Sequence, residues 1–325
     1  MPQSMDSSNS SPPTHSITFP DKITTFELSS YEWSQNLLCV ALPDKLMLGV
    51  VRFPEESELE CFEWNQLKEV HHESRCHAVA FAPETSLAVL PKVVVICTAG
   101  ADYNLRIFNS DLEDDNTIQV LQGHRGYVNQ ISWDPDGEYL ASCGDDHMCI
   151  MWKRKENYSK GSTFFFGSAV VSAKWHPDES GKVLIAEKSG IVHLYNVESK
   201  LAILSVESSK NPLNYADWSL NNSAFVVALA GGELIFWDLM RPSRPIENKR
   251  IHEDCGHIVK FSPHSETIVA SVGRPRSTLK VIHTKNQIPQ IEAKLLLYGG
   301  LCWHYQLPYV VAGQDRKLCF WKISL

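Results

Sequence analysis

An aromatic residue that returns at near-constant spacing constrains this chain more than any other feature. Trp33, Phe81, Trp133, Trp175, Trp218, Phe261 and Trp303 each stand close to a short apolar run and a polar turn. Their separations are 48, 52, 42, 43, 43 and 42 residues. One four-stranded β-propeller blade takes about 40–45 residues, so the spacing fits one blade per repeat, with insertions in the first two. A second anchor follows each first one at Phe53, Phe108, Trp152, Tyr195, Trp237 and Trp321, and the sixth repeat has Ile282 there. Between anchors the pattern reads strand, turn, strand. In the third repeat Tyr139 to Ser142 is a strand, Cys143 to His147 a turn and Met148 to Trp152 the next strand. No segment carries a helical period. The expected fold is therefore all-β, a seven-bladed propeller.

The two ends complete the expectation. After Trp321 only four residues remain, which leaves the seventh blade one strand short. Ser16 to Phe19 reads as a strand with no partner nearby, and adding it to the last blade closes the ring and removes two open sheet edges. Residues 1–15, rich in Ser and Pro, read as a disordered tail, and residues 16–325 as the propeller.

The third repeat is the most complete. Gly123-His124 precedes it, Ser142 lies on its second strand, Asp146 in the next turn and Trp152 six residues later. His, Ser and Asp together invite a hydrolase reading, but no Gly-x-Ser-x-Gly elbow surrounds Ser142. In WD repeats these four residues form a structural hydrogen-bond chain, Trp to Ser to His to Asp. The six-residue offset recurs from Asp102 to Phe108 and from Asp315 to Trp321, as a structural turn should. No catalytic residue is expected, and no cofactor.

Other motifs carry weaker chemistry. His71, His72, Cys76 and His77 are metal-capable but lack the paired spacing of a zinc site, so they read as a solvated loop without metal. Arg241, Arg244, Lys249 and Arg250 make a basic stretch read as an exposed loop. Trp237-Asp238-Leu239-Met240-Arg241 is a near miss of the Trp-Asp-x-Arg motif of cullin-ligase substrate receptors, its arginine one place late. A formal charge of -8 speaks against a general nucleic-acid surface. No apolar run is long enough to insert in a membrane, and nothing marks a small-molecule substrate. Nine cysteines without close pairs suit a reducing compartment, cytosol or nucleus.

Beyond this general pattern the chain resembles one family, the WD-repeat nucleoporins of about 37 kilodaltons in the Y-shaped outer-ring complex of the nuclear pore. Pro83-Glu84-Thr85, Leu87 and Leu90-Pro91 fill the long loop of the second blade. Ala101-Asp102, Leu105-Arg106-Ile107-Phe108, Trp175-His176-Pro177, Ala186-Glu187-Lys188, Trp303-His304 and Leu307-Pro308 carry the rest of the match. The resemblance spans nearly all of residues 16–325 and is lowest in the first blade. It implies a non-catalytic scaffold bound to the large arm nucleoporin of the 160-kilodalton type and to other outer-ring nucleoporins. It also implies a place at the nuclear envelope and, in some lineages, at kinetochores in mitosis. A WD-repeat adaptor of a ubiquitin-ligase or chromatin complex is the alternative that shares the fold.

Overall fold

Alternation with a period of two, in strands apolar on both sides, builds sheets that must be covered on both faces. In the computed structural model, which describes residues 10–56, 61–113, 116–286 and 288–324, a ring of sheets meets that demand. Strand β1 (His15–Thr18) comes first in the chain. Blade 1 follows as β2 (Thr25–Leu28), β3 (Leu37–Ala41), β4 (Lys45–Arg52) and β5 (Glu63–His71). Blade 2 is β6 (Cys76–Phe81), β7 (Val94–Gly100), β8 (Leu105–Ser110) and β9 (Asn116–Leu121). Blade 3 is β10 (Val128–Trp133), β11 (Tyr139–Gly144), β12 (Met148–Lys153) and β13 (Ser159–Phe165). Blade 4 is β14 (Val170–Trp175), β15 (Lys182–Glu187), β16 (Ile191–Asn196) and β17 (Leu201–Glu207). Blade 5 is β18 (Leu213–Trp218), β19 (Phe225–Ala230), β20 (Glu233–Asp238) and β21 (Glu247–Arg250). Blade 6 is β22 (Gly256–Ser262), β23 (Ser265–Gly273), β24 (Thr278–His283) and β25 (Ile291–Lys294). Blade 7 joins β26 (Tyr298–Trp303), β27 (Tyr309–Gln314) and β28 (Lys317–Lys322) to β1. The fold is a seven-bladed β-propeller of antiparallel four-stranded sheets.

Blade 3 illustrates the packing. On β11 and β12, Leu140, Ile150 and Trp152 face blade 2 and meet Ala80, Val95, Cys97 and Ile107. Ala141, Cys143, Cys149 and Met151 face the other way, onto Val170, Ala173 and Ile185 of blade 4. Seven such clusters occupy the seven gaps between neighbouring blades. Each buried side chain of this size contributes about 1.5–3 kcal/mol, so no blade keeps its core without both neighbours.

The gap between blades 7 and 1 is sealed by the N-terminal strand. His15, Ser16, Ile17 and Thr18 pair with Phe320, Cys319, Leu318 and Lys317 of β28. Ile17 and Phe19 join Phe26, Leu28, Phe53, Tyr309 and Phe320 in one cluster. Of the tail expected over residues 1–15, residues 1–9 lie outside the described residues. The remainder departs from the expectation, because Ser11 N donates to Glu292 O at 2.7 Å and Thr14 N to Phe320 O at 2.7 Å. Trp321 Nε1 also donates to Ser11 O at 3.0 Å. His15 already belongs to β1. Ser11, Thr14 and His15 are therefore bonded to the propeller.

The first blade corrects the anchor assignment. Phe81, Trp133, Trp175, Trp218 and Trp303 end the first strands of their blades and Phe261 stands one residue from the end of β22. Trp33 does not occupy that position. It lies in a short 3-10 turn (Glu32–Ser34) and is 64% exposed. Leu28 takes its place, paired with Leu38 as Trp133 is with Leu140. Leu38 pairs in turn with Gly49, where blade 3 has Trp152 opposite Leu140. A Cβ on Gly49 would collide with the ring of Trp64, so β5 supplies the aromatic that β4 lacks. Phe53 lies just beyond β4, fully buried in the closure cluster.

The closure strand gives a direct test. Ile17 is buried and Ser16 beside it is exposed. Ile17→Asp places a carboxylate in the closure cluster and is expected to lower stability by more than about 2 kcal/mol. Ser16→Asp is expected to leave the thermal melt unchanged. Equal melts would remove β1 from the closure.

Candidate functional site

The sequence-predicted His, Ser and Asp meet at the start of blade 3; a second Ser-His-carboxylate contact lies in blade 4, where His193 Nδ1 is 2.7 Å from Ser205 Oγ and Nε2 is 2.8 Å from Glu187 Oε1. His124 lies on the connection entering β10, and Ser142 on β11 is fully buried. Asp146 sits in the turn between β11 and β12, and Trp152 near the end of β12. His124 Nε2 is 2.8 Å from Ser142 Oγ and Nδ1 is 2.9 Å from Asp146 Oδ2. Trp152 Nε1 donates to Ser142 Oγ at 2.9 Å. Burial holds the His124 imidazole below its ordinary pKa in spite of the opposing Asp146 charge, so the ring is neutral at pH 7. One proton order then satisfies every atom: Trp152 N–H to Ser142, Ser142 O–H to His124, and His124 Nδ1–H to Asp146. Asp146 Oδ2 also accepts from Arg125 N at 2.8 Å and Oδ1 from Met148 N at 3.3 Å.

The contacts follow the order of a Ser-His-Asp triad, yet the surroundings oppose catalysis. Ser142 has no solvent exposure, and its oxygen already accepts from the Trp152 indole. No acyl group can reach it without opening the blade. What the arrangement does is fasten the entering loop and the β11–β12 turn to the sheet.

Two partial copies escaped the sequence reading. His72 Nε2 meets Thr98 Oγ1 at 2.8 Å, and His252 Nε2 meets Ser271 Oγ at 3.1 Å. Thr98 and Ser271 take the place of Ser142 on β7 and β23, two residues after the partner of the first-strand aromatic. In blade 2 the aspartate has another partner, since Asp102 binds Arg106 in a fork at 3.1 and 2.8 Å. That guanidinium holds the Asp102 carboxyl well below the usual range. The metal-capable cluster is thus no solvated loop. His72 and Cys76 are buried, and Cys76 opens β6. Among the described residues no group of three or more His, Cys, Asp or Glu is placed to hold a metal. The basic stretch divides likewise. Arg241 and Arg244 are exposed, whereas Lys249 and Arg250 lie on β21, with Lys249 bonded to Thr284 O and Asn286 O. Asp238 of the Trp-Asp pair caps its own turn through Met240 N at 2.9 Å.

The first strands enclose a channel of about 810 Å³. Glu27 of blade 1 and Lys260 of blade 6 stand 3.7 Å apart, and Lys174 and Asp217 of blades 4 and 5 stand 3.9 Å apart. Burial raises the Asp217 carboxyl above its ordinary value against the Lys174 charge. Gln130 Nε2 donates to Tyr215 OH at 2.7 Å and its Oε1 accepts from Ala173 N at 3.0 Å. A belt of indoles lies beneath. Trp175, Trp218 and Trp303 donate to Ser132 O, Lys174 O and Lys260 O of the preceding blade at 2.9, 3.0 and 3.1 Å. In blade 6, where Phe261 cannot donate, Asp217 Oδ2 accepts from Phe261 N at 2.9 Å. These polar groups are spent on each other, so the channel reads as a structural axle. Only the aromatic spacing hinted at this belt; its acceptors lie about one blade away in the sequence.

Two outcomes test the network. His124→Ala strands Ser142 and Asp146 and is expected to cost about 1–3 kcal/mol, read in urea melts. Histidine also sets the response to acid. Burial pushes His252 down to about 3 and His304 to about 4, from an unfolded value of about 6.5. The unfolded chain therefore takes up these protons first. Stability is complete above the unfolded pKa and is lost as pH falls toward the folded values, by up to about 1.4 kcal/mol per unit for each ring. His252→Gln is expected to flatten that slope between pH 6 and pH 4, whatever its offset at pH 7.

Comparison with known proteins agrees with this geometry. The WD domain, G-beta repeat family matches residues 115–153, the region of blade 3 that holds the complete network. Nucleoporin Nup37 of Drosophila melanogaster is 42% identical over 318 residues, 96% of this chain and 98% of the relative. Nucleoporin Nup37 of Mus musculus and of Homo sapiens are each 34% identical over 314 residues, 94% of this chain and 96% of each relative. Similarity that runs through every blade, together with a ring whose reactive groups are occupied internally, leads to one assignment: the chain belongs to the Nup37 family of nucleoporins.

Proposed function

We propose that this protein is a non-catalytic scaffold subunit of the nuclear pore outer-ring (Y) complex. In this reading it binds the large arm nucleoporin of the 160-kilodalton type, sits with other outer-ring nucleoporins at the nuclear envelope, and supports pore assembly and nucleocytoplasmic transport. A place at mitotic kinetochores is part of the same proposal. The observation that carries it is end-to-end similarity to proteins named as nucleoporins, 96% of this chain against 98% of the Drosophila relative. The structure supports a scaffold role through its chemistry. The His124, Ser142, Asp146 and Trp152 side chains serve one another, and the channel charges are paired. A rigid ring with a large loop-covered surface fits a subunit that holds others in place.

Tagged protein expressed at native level is expected to give a punctate nuclear rim and to co-purify with outer-ring subunits in near-equal amounts. A diffuse cytosolic signal with cullin adaptors in the eluate would instead favour the ubiquitin-ligase adaptor.

A further inference from the structure

The segment ahead of β1 forms a strap over the outer wall of the ring. Ser11 N donates to Glu292 O at 2.7 Å, and the Ser11 hydroxyl takes the return bond from Glu292 N at 3.3 Å. Ser10 Oγ accepts from Lys294 N at 3.4 Å. Two serine hydroxyls thus stand where a neighbouring strand would offer carbonyls, and they cover the edge of β25. Ser11 O turns the other way and accepts from Trp321 Nε1 at 3.0 Å, while Thr14 Oγ1 accepts from Lys322 N at 3.0 Å. One short segment therefore ties the outer strand of blade 6 to the third strand of blade 7.

The sequence marks the same serine. Proline follows a serine at two places, Ser11-Pro12 and Ser262-Pro263, and never follows a threonine. Proline-directed protein kinases require that residue directly after the acceptor hydroxyl, where its ring keeps the preceding residue extended. Ser262 is fully buried and its hydroxyl accepts from His264 N at 3.2 Å, so a kinase cannot reach it in the folded ring. Ser11 is half-buried, and Ser10, Pro12, Pro13 and Thr14 around it are exposed. A surface segment near the chain's end, held by bonds of this kind and no apolar cluster, opens far more readily than a blade.

Charge decides what a phosphate does at this place. Glu292 and Lys294 alternate along the exposed face of β25, and Lys280 of β24 pairs directly with Glu292. Lys280 Nζ lies 3.5 Å from Glu292 Oε1, so two ammonium groups stand against one carboxylate. Lys322, on the blade 7 side of the strap, is held by Glu55 at 2.6 Å. A phosphoserine carries about −1.5 to −2 charges at pH 7 and three acceptor oxygens. Glu292 repels it, but the two lysines beside the strap outweigh one carboxylate and gain a stronger acceptor than the one they have.

We propose that Ser11 is a phosphorylation site for a proline-directed protein kinase, and that its phosphate clamps the strap onto Lys280 and Lys294. Transfer takes place while the strap is lifted from β25. Ser11 Oγ bonds to the γ-phosphorus of ATP, and the bond from that phosphorus to the bridging oxygen breaks. ADP leaves with the electron pair, and the serine proton passes to the kinase's base. The strap then settles back with charge-assisted bonds beside the weak 3.3 Å contact, and the link between blades 6 and 7 tightens. This modification is independent of the scaffold reading above.

The test incubates the full chain with ATP and a proline-directed kinase. Mass spectrometry is expected to place a phosphate on Ser11 and to find none at that position in Ser11→Ala. Hydrogen exchange at the Glu292 and Lys294 amides is expected to slow by about tenfold on phosphorylation, the worth of one charge-assisted hydrogen bond. The double variant Lys280→Gln, Lys294→Gln should take up phosphate as the parent does and lose that slowing. Both lysines lie on the surface of the outer strands, so its melt before phosphorylation should match the parent's. No phosphate on Ser11 would overturn the site. Unchanged or faster exchange after phosphorylation, the result if Glu292 repulsion prevails, or full slowing in the lysine variant would overturn the clamp.

Discussion

The contact between blades 7 and 1 is the constraint on which the remaining structure depends. Every blade is a thin sheet whose two faces are both apolar, and each covers the face of the next. Such an arrangement has no natural end except a closed circle. The short strand β1 makes the circle possible, pairing with β28 and placing Ile17 and Phe19 against Phe26, Leu28 and Phe320. Phe62 stacks on His15 at 4.4 Å and meets Phe320 edge-on at 5.1 Å, so blade 1 grips the closing strand from the outer side as well. The joined segments are about three hundred residues apart in the chain, so closing them carries a large loop-closure entropy cost, and once made the contact ties the first blade to the last.

Once the ring is closed, its polar residues act mainly as fasteners. The His124 network carries the geometry of a hydrolytic triad and none of its accessibility, which shows how little residue types decide by themselves. Distances of 2.8 and 2.9 Å suit a nucleophile and its base, but Ser142 is fully buried and its oxygen accepts from the Trp152 indole. The same His–hydroxyl pair returns with Thr98 and Ser271, stripped of the indole or of the aspartate. Such variation suits groups whose task is to fasten a loop to its sheet.

Much of this was legible in the residues, and the exceptions have physical reasons. Trp133, Trp175, Trp218 and Trp303 mark first-strand ends because a large ring there fills the gap to the neighbouring blade, and in the last three its N–H reaches the neighbour's backbone. The first blade broke the pattern: its anchor is Leu28, its third-strand aromatic is replaced by Gly49 with Trp64 folded over it, and the loop aromatic Trp33 falls at a misleading spacing. His72 and His252 were unreadable because a histidine's partner sits 26 or 19 residues away, across a loop whose length varies. The channel pairs were hidden more deeply still, since Glu27 and Lys260 meet only through the curvature of the whole ring.

The division of labour within the molecule follows from that geometry. The channel groups point inward, where they hold blades to each other, and the loops are left to differ. A loop in a propeller can lengthen without disturbing the strands it joins, because its ends are fixed by a hairpin already paired along its length. The twelve-residue connection of blade 2 is such a case: Ser86 and Val93 bridge its base, and its tip carries Leu90 into solvent. Insertion there costs the core nothing. It carries Val89 and Leu90 into solvent while Ile96, Phe108 and their neighbours keep the blade in place. In a ring built in this way, what varies on the surface is mechanically separate from what keeps the ring closed.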